Sequence, residues 1–172
     1  MRRFLIVVDM QNDFISGALG TAEARAIVEG VREKIRTFDG EVIFTRDTHF
    51  ENYLDTQEGA CLPVKHCIKG TWGWEIEPSI EAMRHGMAID KVTFGSASLF
   101  NMLECEDKRQ KIDEITLIGL CTDICVISNA IGIKAFLPEA KIIVDSACCA
   151  GVTPQSHENA LNAMKMCQIS II

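Results

Sequence analysis

The sequence predicts an α/β protein built on a parallel sheet with helices on both faces. Three observations predict it. Short continuous apolar runs recur along the chain, segments with helical spacing separate them, and Gly or Pro punctuates the junctions. Strands that alternate with helices pair in parallel through right-handed crossovers.

Phe4 to Val8 is a continuous apolar run, as expected of a strand buried on both faces. Thr21 to Phe38 carries Ala24, Ile27, Val28, Val31 and Ile35 at helical spacing, and Asp39-Gly40 ends it. Glu41 to Thr45 is the second strand. Asp47 to Gly73 has no clear period and holds Gly59, Pro63 and Gly70; a loop of that length inside a compact domain is usually functional or disordered, and its two His and two nearby Trp argue for function. Pro78 to Arg84 is a short helix, Met87 to Asp90 the third strand and Ser98 to Glu104 a helix. Glu114 to Leu120 is a strongly apolar fourth strand. Thr122 to Leu137 is a helix stopped by Pro138, and Lys141 to Val144 is the fifth strand. Thr153-Pro154 opens a helix that runs to about Met166, because a capping hydroxyl followed by proline favours a helix start. Gln168 to Ile172 is a short last strand.

Composition bounds the function. With 172 residues, 48% hydrophobic and 24% charged, the chain is sized for one domain, 1–172, with a full core and no need of disulfides. A net charge of −7 argues against a nucleic-acid partner, which requires a basic patch. Lys108, Arg109 and Lys111 sit beside Glu106, Asp107 and Asp113, so that cluster reads as a solvated loop. The apolar run after Met1-Arg2-Arg3 is too short for a signal peptide, and no stretch reaches the length of a membrane span; a cytoplasmic protein with no membrane partner is expected. The eight cysteines have no Cys-x-x-Cys spacing, and Cys105, Cys148, Cys149 and Cys167 read as small core residues.

In open α/β sheets, ligands bind beyond the carboxyl ends of the strands. Asp9 ends the first strand; Asp47 ends the second, with His49 just after it; Lys91 ends the third. Cys121 follows the fourth strand, and Cys125 lies in the first turn of the next helix. A helix start favours a thiolate and offers backbone N–H groups to an oxyanion, which makes Cys125 a candidate nucleophile. Asp9, at the end of five apolar residues, is costly unless paired or used. With Lys91 the set comprises an acid, a cation and a thiol.

Val8-Asp9-Met10-Gln11-Asn12-Asp13-Phe14 with Gly17-Ala18-Leu19, Asp90-Lys91-Val92-Thr93-Phe94, and Gly119-Leu120-Cys121-Thr122-Asp123-Ile124-Cys125-Val126 resemble, in order and spacing, the motifs of the isochorismatase-like cysteine hydrolases, with nicotinamidases the nearest branch. The resemblance implies a three-layer αβα, Rossmann-like fold with a six-stranded parallel sheet. It implies a catalytic set of Asp9, Lys91 and Cys125, an oxyanion hole from the N–H groups of Cys121 and Cys125, and a cis peptide between Leu120 and Cys121. It implies a small carboxamide substrate packed by Phe14 and Phe94, a role in NAD salvage, and a homo-oligomer.

Asp47-Thr48-His49, Glu58 and His66 resemble the metal set of nicotinamidases. Two imidazoles and two carboxylates suit a divalent ion, zinc first, with manganese or iron as alternatives. The resemblance also implies an aromatic residue about three positions before the last metal histidine, where this chain reads Cys61-Leu62-Pro63. Either that wall is aliphatic, or an aromatic such as Tyr53 or Trp72 replaces it. The leading expectation is a nicotinamidase working through a thioester. A metal-free hydrolase of another small amide or vinyl ether is the rival within the family. A non-catalytic binding protein on the same fold is the third reading.

Overall fold

The computed structural model describes residues 1–172. Six strands form one parallel sheet in the order β3-β2-β1-β4-β5-β6, where β1 is Arg3–Val8, β2 Glu41–Asp47, β3 Ile89–Lys91, β4 Glu114–Leu120, β5 Lys141–Ala150 and β6 Ser170–Ile171. The expected strand count, direction and layering hold. The order reverses at β1, which pairs with β2 on one side and β4 on the other. The gap between the carboxyl ends of β1 and β4 is therefore the switch point where such folds place their ligands.

The alternation of β1 shows how the layers are glued. Phe4, Ile6 and Val8 join one apolar cluster with Leu99, Leu103, Ile133 and Leu161. Leu5 and Val7 join another with Val31, Ile35 and Ile80. A strand whose successive side chains enter opposite cores must be apolar throughout, which explains the unbroken run in the sequence.

Eight α-helices connect the strands: α1 (Asn12–Ile15), α2 (Ala22–Ala26), α3 (Val28–Thr37), α4 (Gln57–Cys61), α5 (Pro78–Glu81), α6 (Ala97–Arg109), α7 (Ile127–Phe136) and α8 (Pro154–Met166). The single helix expected over 21–38 divides at Ile27, where two successive β-branched residues, Ile27 and Val28, are stiff side chains for a helix interior. The helix expected over 98–104 runs on to Arg109. Glu106, Asp107, Lys108 and Arg109 thus lie on its last turns rather than in a loop, laced by Lys108–Glu104 and Arg109–Glu106 pairs, each at 3.0 Å. β5 extends well past Val144, because Lys34 neutralises Asp145 at 2.8 Å where the apolar run breaks. The helix expected from Thr122 starts as one wide turn, Thr122–Val126, before α7.

The cysteine expectation holds for Cys148 and Cys149, which are buried, and fails for Cys105 and Cys167, which are exposed. Cys105 projects from the outer side of α6, and Cys167 lies just past the end of α8, where no second layer covers it. No helix is long and apolar enough to cross a membrane.

Candidate active site and metal centre

The end of β1 places Asp9 in a fully buried position with a left-handed backbone, φ 47°. Asparagine and aspartate tolerate that conformation better than other side-chain-bearing residues. The Thr45 hydroxyl donates to Asp9 Oδ1 at 2.7 Å, fixing one oxygen. The other, Oδ2, lies 2.6 Å from Lys91 Nζ. Lys91 leaves the edge strand β3 and reaches past β2 to do this, also meeting Asp47 Oδ1 at 3.1 Å and Cys125 Sγ at 3.2 Å. A 3% exposed lysine is tolerable only because those acceptors surround it.

Gly119 makes the approach of β4 possible. It sits at φ 116°, and a Cβ there would lie 2.1 Å from the Val8 carbonyl oxygen. The absence of a side chain lets the chain turn against the end of β1 and delivers Cys121 and Cys125 over Asp9. The Leu120–Cys121 peptide is cis, as the resemblance implies.

The charges in this cluster are strongly coupled. Burial pushes the Cys125 thiol well above its ordinary range, and the Asp9 carboxylate adds to this against the opposing charge of Lys91. Lys91 does not outweigh these two effects, contrary to the expectation that it favours the thiolate. Burial also raises Asp9, against the lowering influence of Lys91. Burial works against the Lys91 cation, but Asp9, Cys125 and Asp47 more than offset it and hold the ammonium well above its usual value. The trio sets Lys91 Nζ between the Asp9 carboxyl and the Cys125 thiol, so that Asp9 stands as a buried acceptor for the thiol proton.

Asp47, His49, Glu58 and His66 come together as expected, with one donor atom from each lying within 4.8 Å of the others. His66 Nδ1 donates to the Val64 carbonyl at 2.8 Å, which turns Nε2 toward Asp47 and Glu58. His49 Nε2 is buried without a hydrogen bond, although Asp47 Oδ2 stands 2.9 Å away and Glu58 Oε1 3.5 Å. A buried ring nitrogen without a hydrogen bond beside two carboxylates is an arrangement a divalent cation satisfies, so the donor set fits the expected metal.

A cavity of about 210 Å³ opens over both groups. Asp47, Glu58 and His66 line one side; Cys121 and Cys125 line the floor; Phe14 and Phe94, the expected packing residues, line the walls. The remaining wall is Leu19, Cys61, Leu62 and Ile124, so it is aliphatic apart from one thiol. Tyr53 does not replace the missing ring. It packs behind His49 and His66 with centroids 4.6 and 5.0 Å away and donates its hydroxyl to the Leu62 carbonyl. Trp72 is 56% exposed and does not reach the cavity.

Two supporting residues escaped the sequence reading. Gln11 is fully buried; its amide donates to the carbonyls of Asp47 and Trp74 at 2.8 Å each, and its oxygen accepts from Asp47 N–H at 2.7 Å. Asn129 donates to the Cys125 carbonyl at 2.7 Å and to that of Phe94 at 3.1 Å, and accepts from Ser96 N–H at 2.9 Å. A lone amide among the apolar residues of α7 was the available signal, since a buried amide must find partners.

Similarity to known proteins bears on this geometry. A nicotinamidase/pyrazinamidase from Mycobacterium tuberculosis is 28% identical over an alignment 190 positions long that covers 99% of this chain and 98% of that protein. The structure of a pyrazinamidase from Pyrococcus horikoshii in complex with zinc superposes with a TM-score of 0.81 at 26% identity, covering 100% of this chain and 99% of that one. An N-carbamoylsarcosine amidase from Thermoplasma acidophilum superposes with a TM-score of 0.76 at 28% identity, covering 99% and 95%. The family described as Isochorismatase domain matches residues 3–172. Motif order, strand-end placement and a match over almost the whole length agree: this chain belongs to the isochorismatase domain family.

Proposed function

We propose that the chain is a nicotinamidase-like amidohydrolase that converts nicotinamide and water to nicotinate and ammonia, with Cys125 as nucleophile. The observation that carries the reading is the buried Lys91, 2.6 Å from Asp9 and 3.2 Å from Cys125, beneath a cavity lined by Cys125 itself and by Asp47, Glu58 and His66 of the four-donor cluster. Relatives named for nicotinamide and pyrazinamide hydrolysis support the substrate class.

Asp9 takes the thiol proton as Cys125 Sγ attacks the carboxamide carbon. The pair leaving the C=O bond collects on oxygen, where the N–H groups of Cys121 and Cys125 receive it. Protonated Asp9 gives its proton to the departing nitrogen, and ammonia leaves a thioester on Cys125. Asp9 then takes a proton from water, whose oxygen attacks the thioester; the C–S bond breaks, Asp9 returns that proton to Cys125 Sγ, and the acid leaves as nicotinate with its own proton lost to solvent or to ammonia. Lys91 keeps Asp9 charged at rest and holds it facing the sulfur. Phe14 and Phe94 pack the ring. A divalent ion held by Asp47, His49, Glu58 and His66, for which zinc suits the donor set, would supply a Lewis-acidic anchor for the pyridine nitrogen.

The test is ammonia release from nicotinamide. Cys125→Ala is expected to abolish it while the circular dichroism spectrum and melting temperature stay native. Turnover retained in that variant would refute the mechanism. The aliphatic wall of Cys61 and Leu62 favours a second reading, hydrolysis of a non-aromatic small amide by the same three residues. A parallel screen of aliphatic carboxamides, with and without a chelator, separates the two.

A further inference from the structure

We propose that His157 is a positioning residue for the turn that binds the oxyanion. The inference rests on the reading above, in which Cys121 and Cys125 supply the oxyanion donors.

Thr122 lies between those donors and is fully buried. Its hydroxyl is hydrogen-bonded to His157 Nδ1 at 2.8 Å. One residue on, the Asp123 carboxylate accepts from Val152 N–H at 3.2 and 3.3 Å. One anchor, Val152, lies in the corner between β5 and α8, and the other, His157, in the first turn of α8. Gly151 lets that corner close up, since a Cβ there would meet the backbone nitrogen of His157 at 2.8 Å. The wide turn is closed on one acceptor: the N–H groups of Ile124 and Val126 both donate to the Cys121 carbonyl, at 3.1 and 3.0 Å. A tilt at Thr122 therefore re-aims the Cys121 peptide and the Cys125 peptide together.

His157 does not line the substrate cavity. It lines a separate one of about 260 Å³, bounded by Glu23, Ala26 and Ile27 on one side and Gly151 and Pro154 on the other. Any effect on the reaction must then pass through Thr122. The oxyanion exists only in the tetrahedral states, so loosening the turn lowers kcat and spares ground-state binding.

The experiment compares native enzyme with His157→Ala, His157→Asn, Thr122→Val and the double variant His157→Ala/Thr122→Val. The readouts are kcat and KM for nicotinamide, nicotinate affinity, and affinity for pyridine-3-carbaldehyde. The aldehyde reports on the oxyanion site directly: its carbon bonds Cys125 Sγ, the C=O pair moves to oxygen, and the thiol proton passes to Asp9. In His157→Ala, kcat is expected to fall about tenfold, less than the 10²–10³ for deleting an oxyanion donor outright. Aldehyde affinity should fall by a similar factor, while KM and nicotinate affinity stay within about twofold. His157→Asn places an amide where Nδ1 lies and should recover most of the loss. Thr122→Val should match His157→Ala, and the double variant should add little, since both remove one bond. Should His157→Ala fail to fold, His157→Gln takes its place, filling the space with its amide at the Nε2 position.

A merely structural role predicts that kcat, nicotinate affinity and melting temperature fall together, and that outcome overturns the proposal. So does a His157→Ala enzyme that matches native within twofold in kcat and aldehyde affinity. If native enzyme neither hydrolyses nicotinamide nor adds the aldehyde at Cys125, the parent reading falls and this one with it.

Discussion

Asp9 shows how much one residue must satisfy at once. It is fully buried, holds a left-handed backbone, accepts from Thr45 and faces Lys91. Asn at this position keeps shape and backbone tolerance and removes only the proton carrier. Asp9→Asn should therefore fold normally and lose roughly 10²–10⁴ in kcat, the usual share of general acid–base catalysis; a loss under about twofold would assign the proton to another group. Because burial raises the Asp9 carboxyl, the base is present only above that raised value. The acid limb of the kcat/KM profile should accordingly lie above the ordinary aspartate range near 3.9, with activity falling as pH drops through it. A limb at or below that range would contradict the burial argument.

At the scale of elements, the end of β2 and the long segment between it and α5 hold the whole candidate metal cluster. The two-residue spacing from Asp47 to His49 crosses the end of β2, α4 presents Glu58, and the Val64 carbonyl orients His66. His49→Ala should lower bound metal in protein purified without chelators, and nicotinamide turnover should fall with it. The fold should survive, because the sheet and its two cores do not depend on this edge; elemental analysis beside a melting curve checks both. Near-zero metal in active native protein would remove the metal from the reaction and leave the amidase.

This segment also marks how far sequence reasoning reached. Asp9, Lys91 and Cys125 were legible because reactive side chains directly after apolar runs stand out against the run. The four candidate metal donors were legible as residue types in one stretch of sequence. The short α4 was not, since five residues show no period. The Gln11 and Asn129 contacts were not, because a buried amide declares its partners only in three dimensions. The exposed Cys105 and Cys167 were misjudged because residue type was used where helix face decides.

For the whole molecule, the decisive feature is the reversal of strand order at β1, which opens the cleft between β1 and β4. Gly119 is the residue on which that closeness turns. Gly119→Ala adds a Cβ 2.1 Å from the Val8 carbonyl at a positive φ. It should cost at least about 2 kcal/mol, read as a lower denaturation midpoint, since strain of that kind runs to 1–3 kcal/mol before any clash. An unchanged midpoint would mean the strand ends have room to part.

The position of β1 also orders events in time during synthesis. Its partner on one side, Glu41–Phe44, is made soon after it, but its partner on the other, Glu114–Gly119, follows more than a hundred residues later. Until then the nascent chain carries Phe4-Leu5-Ile6-Val7-Val8 as an open edge with unpaired amides, the kind of template on which other chains add. A fragment ending at residue 112 should therefore sediment as aggregate, whereas the full chain stays in the supernatant. Ribosome-bound chains should shed holdase chaperones only once β4 has cleared the exit tunnel.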